Sequence, residues 1–114
     1  MPVPPEIRER TDDHVALFCA NRISESARDH VRLEHRWRGN AVTIAERRAP
    51  WREDLGADWT STDVAQFRYD PDAGTWSLYW ATSKGWLLYD IEPAPDIGPL
   101  LAEVGEDPDG CFWG

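Results

Sequence analysis

Apolar and polar positions alternate without a break from Val31 to Arg38, with Val31, Leu33, His35 and Trp37 on one side and Arg32, Glu34, Arg36 and Arg38 on the other. A period of two is the signature of a half-buried strand. Gly39-Asn40 follows as a two-residue turn with glycine first, compatible with type II′ geometry, and a second strand begins at once. That bend sets Trp37 opposite Val42, His35 opposite Ile44, Leu33 opposite Glu46 and Val31 opposite Arg48. The core-side face of the hairpin therefore ends in polar groups, while Arg32, Arg36, Arg38 and Arg47 gather on the outward face.

Before the hairpin, prolines at the entry and apolar positions at Ile7, Thr11, Val15, Phe18 and Cys19 predict a helix from about Pro5 to Arg22. After it, Pro50 to Thr60 has no clean period and contains Pro50, Gly56 and two tryptophans, which predicts a long ordered loop crossing an edge of the sheet. A strand from Thr62 to Asp70 should return through Pro71-Asp72-Ala73-Gly74, pairing Tyr69 with Trp76, Phe67 with Leu78 and Ala65 with Trp80. Ser83, Lys84 and Gly85 make the next turn, before a strand from Trp86 to Ile91. Whether that turn holds two or three residues is open, and with it the facing of Trp86 and Leu88. Alternation places Trp76, Trp80, Trp86 and Trp113 mostly in the core.

Pro93 and Pro95 break the last strand, Asp96 can cap, and Ile97, Leu100, Leu101 and Val104 recur at helical spacing up to Gly105. Phe112 and Trp113 near the end of the chain imply a docked tail. The pattern as a whole predicts one α+β domain over residues 1–114: an N-terminal helix, a five-stranded antiparallel meander, a short C-terminal helix and a docked aromatic tail.

Charge changes this picture more than composition does. The formal charge is −9, with 12 basic and 21 acidic residues. The stretch from Arg28 to Arg52 nevertheless carries seven arginines against Asp29, Glu34 and Glu46, a net of 7 − 3 = +4, which leaves −13 for the rest. Acidity repels nucleic acid and anionic lipid unless the charge is segregated, and here it is. No apolar run is long enough to span a membrane, and none at the start reads as an export leader. Cys19 and Cys111 stand far apart with no CxxC spacing, so reduced thiols in a cytoplasm are the expectation.

The stretch VRLEHRWRGNAVTIAERRAPW from Val31 to Trp51, the segment FRYDPDAGTWSLYW and the ending YDIEPAPDIGPLLAEVGEDPDGCFWG together resemble the bacterial domain-of-unknown-function family 3024. The resemblance spans nearly the whole chain. It implies no catalytic or ligand residue, so site hypotheses come from the residues alone.

Zinc wants four closely spaced soft or imidazole donors, and His14, His30, His35, Cys19 and Cys111 are wrongly spaced for it. No metal and no cofactor is expected; glycine-rich phosphate loops and nucleophile turns are equally absent. Two constellations remain. His35 and Glu46 are diagonal neighbours on the core-side face, with Arg48 beyond. They form a candidate acid-base pair with an arginine anion clamp, against the plainer reading that Glu46 pairs with Arg48 in water. Arginine also interleaves with tryptophan at Arg32, Arg36, Arg38, Arg47, Arg48, Trp51, Arg52 and Trp59, the mixture that clamps phosphates and stacks bases. The plainer reading there is cross-strand pairing with Glu34 and the acidic remainder.

The first expectation is thus a non-enzymatic module presenting the arginine hairpin and tryptophan loop to an anionic partner, whether protein, nucleic acid or phosphorylated ligand. Two others stand beside it: a small enzyme using His35 and Glu46, and an acidic nucleic-acid mimic or inhibitor.

Overall fold

In the computed structural model, residues 1–50 and 58–113 are described. The order is helix α1 (Pro5–Arg22), a single 3-10 turn (Glu25–Ala27), strands β1 (Val31–Arg38), β2 (Ala41–Arg48), β3 (Thr60–Asp70), β4 (Thr75–Thr82) and β5 (Gly85–Leu88), and helix α2 (Gly98–Glu106). The five strands form an antiparallel sheet in chain order, the expected meander.

The first hairpin has the register its alternation dictates, with Trp37 opposite Val42 and His35 opposite Ile44. Gly39 holds φ +57° and Asn40 does not share the positive φ, as a glycine-first turn requires. Asn40 does more than turn the chain. Its side-chain Oδ1 accepts the Val3 N–H at 3.0 Å and its Nδ2 donates to the Met1 carbonyl at 2.6 Å, which ties the segment before α1 to the hairpin tip.

The β3–β4 pairing is also as expected, Tyr69 with Trp76, Phe67 with Leu78 and Ala65 with Trp80. One irregularity lies outside any local pattern. Between β2 and β3 the register shifts, Ile44 facing Ala65 and Ala45 facing Asp63, so Val64 is an extra residue. Such a bulge lets Val64 and Ala65 both reach the core while Asp63 returns to the outward face.

Both helices pack on the inward face. Val15 and Cys19 of α1 and Leu100, Leu101 and Val104 of α2 join Val42, Ile44, Phe67, Leu78 and Trp76 in one core. Trp76 has no exposed surface and touches Tyr69 at 5.0 Å and Trp37 at 6.0 Å between ring centroids.

Two expectations are corrected. Thr82 pairs with Gly85 across Ser83-Lys84, so the last turn has two residues. Trp86 then lies opposite Ala81 and shares the outward face with Tyr79 and Leu88, rather than entering the core. Also, α2 runs past Gly105 and closes at Asp107, which takes the left-handed conformation at φ 45°. Gly105 is therefore an interior helical residue, where a Cβ would make ordinary contact with the Phe18 ring of α1 at 3.4 Å. The strain at Asp107 is offset by its carboxylate, which accepts the Phe112 N–H at 3.2 Å and the Trp113 N–H at 2.9 Å. Those bonds dock the tail: Phe112 is buried against Tyr89, and Trp113 Nε1 donates to the Val104 carbonyl at 2.7 Å. No described helix is long and apolar enough to cross a membrane.

Candidate functional site

Because strand side chains alternate, the register alone sorts the arginines. Arg32, Arg36 and Arg38 of β1, Arg47 of β2 and Arg68 of β3 all stand on the face away from the helices. Glu34, Asp63 and Asp70 share it, giving 5 − 3 = +2 on a chain whose total is −9. The acids concentrate opposite: Glu6, Glu9, Asp12 and Asp13 on α1, and Glu103, Glu106, Asp107 and Asp109 in and after α2.

Two arginines of this face are partly neutralised in place. Arg36 Nη2 lies 3.0 Å from Asp63 Oδ1, and Arg47 Nη1 lies 3.2 Å from Glu34 Oε2. Exposed pairs of this kind contribute about 0–1 kcal/mol and exchange readily with other anions. Arg32 and Arg68 are held differently, by aromatic rings. Arg32 Cζ sits 4.5 Å from the Trp59 ring centroid, and Arg68 Cζ sits 3.8 Å from that of Tyr79. Arg38 makes no ion pair among the described residues.

The floor between these side chains is lined by small residues of β2. Thr43 and Ala45 are buried although, among the described residues, no helix lies over them. Long neighbours overhang them, and Gln66 Nε2 donates to Thr43 Oγ1 at 3.0 Å. A hollow of about 170 Å³ opens beside Ala45 between Glu34, Arg36, Arg47 and Ser61.

Of the residues singled out from sequence, the structure brings Arg32, Arg36, Arg38, Arg47 and Trp59 to one face. Trp51 and Arg52 lie outside the described residues. Arg48 belongs to the inward face and its Nε donates to Glu46 Oε1 at 2.7 Å. Tyr79, Trp86 and Arg68 were missed. The signal for Tyr79 was the β3–β4 pairing itself, which puts Leu78 and Trp80 inward; Trp86 needed the two-residue length of the turn before β5, and Arg68 its pairing with Ala41, which follows only once β2 and β3 are aligned.

His35 finds a carboxylate, but from α1. Its Nε2–H donates to Asp12 Oδ1 at 2.7 Å, and Trp37 Nε1–H donates to the same oxygen at 2.8 Å. Arg8, one helical turn earlier, lies over the Trp37 ring at 4.4 Å. These contacts fasten α1 to β1, and the Trp37 bond, then the His35 bond, hold the Asp12 carboxyl below its ordinary value. A depressed carboxyl contributes stability above its unfolded value of 3.8, and that contribution is lost as pH falls through the folded value. Asp12→Asn should therefore lower stability by about 1 kcal/mol at neutral pH, the modest size reflecting a side chain 45% exposed. The gap between variant and parent should close below about pH 4 in urea titrations followed by circular dichroism; a gap independent of pH would mean that the charge is irrelevant.

Both thiols are shifted away from the thiolate form. Burial raises Cys19 to about 11, and burial with Asp109 and Asp107 nearby raises Cys111 as well. No metal-binding cluster occurs among the described residues. A groove of about 520 Å³ runs between the helices past Leu17, Phe18, Leu101 and Gly105, and is largely apolar.

Fold and face together define a small α+β domain in which helices cover one side of an antiparallel meander and arginines and aromatics occupy the other. Its lineage is equally definite. The family model described as a domain of unknown function, DUF3024, matches residues 3–114, and the chain belongs to that family. Comparison with curated proteins and with solved structures gives no match.

Proposed function

We propose that this domain is a non-enzymatic binding module that presents the arginines of its helix-free sheet face to an anionic partner. The observation that carries the reading is the convergence of five arginines from three strands on one face of an acidic chain. Charge segregation of this kind focuses a positive potential that the net charge conceals.

Arginine on an edge strand also discourages a further strand from pairing there. That purpose accounts for Arg32, Arg36 and Arg38 of β1 but not for Arg47 and Arg68, which stand on interior strands. A guanidinium supplies paired donors in a plane, suited to phosphate or carboxylate. The geometry favours this role over acid-base catalysis by His35 and Glu46, because each of those side chains is already bonded to a different partner.

Retention on immobilised heparin, a generic polyanion, tests the reading. The parent chain should be retained at low ionic strength and released by salt, and Arg38→Ala with Arg68→Ala should elute earlier and flatten the salt dependence by about one contact per arginine. Since both arginines are exposed, unfolding stability should move by no more than about 0.5 kcal/mol for each. Parent protein passing straight through the column at low salt would refute the proposal.

A further inference from the structure

Within the binding reading just given, on which this step rests, we infer that the anionic partner is a single-stranded nucleic acid whose bases stack on the outward aromatics of β4 and β5. Arginine alone would suit any polyanion. What narrows the class is the placement of planar groups among the charges.

Tyr79 lies opposite Leu88, and Trp86 opposite Ala81, so the two rings are diagonal neighbours on adjacent strands of the outward face. Such neighbours stand roughly 7–8 Å apart, which is room for one base between or across them. Both side chains keep partial exposure, and Leu88 beside them is 63% exposed. Arg68 stacks on Tyr79, and a guanidinium plane is itself a surface on which a base can lie. At the opposite corner Arg32 and Trp59 repeat the arrangement.

The register shows how a strand would cross. One row reads Arg36, Thr43, Gln66, Tyr79 and Leu88 from β1 to β5. From β1 to β4 is three inter-strand steps, roughly 14 Å, which spans about four phosphates at stacked spacing. A nucleic acid laid across the sheet, perpendicular to its β-strands, thus meets arginine on β1 and aromatic rings on β4 and β5, and passes over Gln66, which covers Thr43 between them. A duplex would hide its base faces from the rings, and a polyacidic peptide such as poly-glutamate has no aromatic ring to stack on them.

Fluorescence anisotropy with labelled eight-nucleotide oligo(U) and oligo(dT), the same sequence as a duplex, and poly-glutamate separates the cases. Both single strands should bind with the same order of affinity, since neither ring nor guanidinium reads the sugar, and should bind at least tenfold tighter than duplex or poly-glutamate. Tyr79→Leu and Trp86→Leu, which keep apolar volume and remove the ring, should each weaken single-strand binding by roughly tenfold while leaving the salt slope unchanged. Arg38→Ala with Arg68→Ala should lower that slope. Equal binding of single strand, duplex and poly-glutamate, or affinity indifferent to both ring variants, overturns the stacking inference and leaves the polyanion reading standing. Failure of every probe, heparin included, overturns both.

Discussion

Trp76→Ala should destabilise the domain by about 3–5 kcal/mol, more than any other single substitution considered for this chain. The indole is wholly buried in the core, and its main chain forms a two-way bridge with Ala94, N–H to carbonyl at 2.7 and 3.1 Å. Deleting it removes the transfer free energy of a large ring and the packing of Tyr69 and Trp37 on it, and leaves a cavity that a sheet cannot collapse to fill. Against a total of about 5–15 kcal/mol, that loss leaves many molecules unfolded at moderate temperature. Urea unfolding of the parent and variant measures it as a fall in midpoint at constant slope. Trp76→Phe is the informative control. The indole N–H has no acceptor among the described residues, so phenylalanine loses volume but also removes an orphaned donor. Its cost should be well under half that of alanine. If alanine at 76 costs less than about 1 kcal/mol, the core is not organised around this ring.

The docked tail should be nearly as important. Phe112→Ala is expected to cost about 3 kcal/mol, because the ring is buried against Tyr89 at 5.1 Å between centroids and belongs to the main core. Behind it stands Asp107, and substitutions there separate its two roles. Glycine relieves the left-handed backbone but gives up the bonds to the Phe112 and Trp113 N–H groups; alanine loses both advantages; asparagine keeps the backbone tolerance but, with a single acceptor oxygen, only one of the two bonds. The expected order of stability is parent, then asparagine, glycine and alanine. Should glycine at 107 prove as stable as aspartate, the carboxylate bonds would contribute nothing and the tail would be held by Phe112 and Trp113 alone.

Near the tail, Tyr89 offers one phenolic proton to two carboxylates, Glu103 at 3.0 Å and Asp109 at 3.1 Å. Burial, and then these two acids, push its ionisation well above the ordinary phenol range, so the group stays neutral and donates at all physiological pH. The aromatic end of the molecule is thereby stitched to α2 on the side opposite the arginine face.

Much of this fold was legible in local pattern. Unbroken alternation in β1, a glycine-first turn of two residues and the Pro71 to Gly74 turn each determine parity within a few residues, so the pairings of both hairpins follow from counting. The bounds of α1 follow from its prolines and its repeat of apolar positions in the same way. The segregation of Arg32, Arg36, Arg38 and Arg47 to one side was readable for the same reason: a strand can put a side chain only up or down.

Long-range choices were not legible. His35 has acids near it in sequence order and across the hairpin, yet Asp12 takes it, because α1 crosses β1 at that height and only the packed molecule sets the height. The end of α2 looked like Gly105, a common stop signal, but the helix continues to Glu106 and the tail bonds made a left-handed aspartate at 107 tolerable. Val64 enters the core through a bulge that strand periodicity cannot announce. Trp86 faces outward because of one turn residue more or fewer. Sequence settles what depends on near neighbours and on the two-sidedness of a strand, whereas contacts between elements distant along the chain are chosen by the packing of the whole.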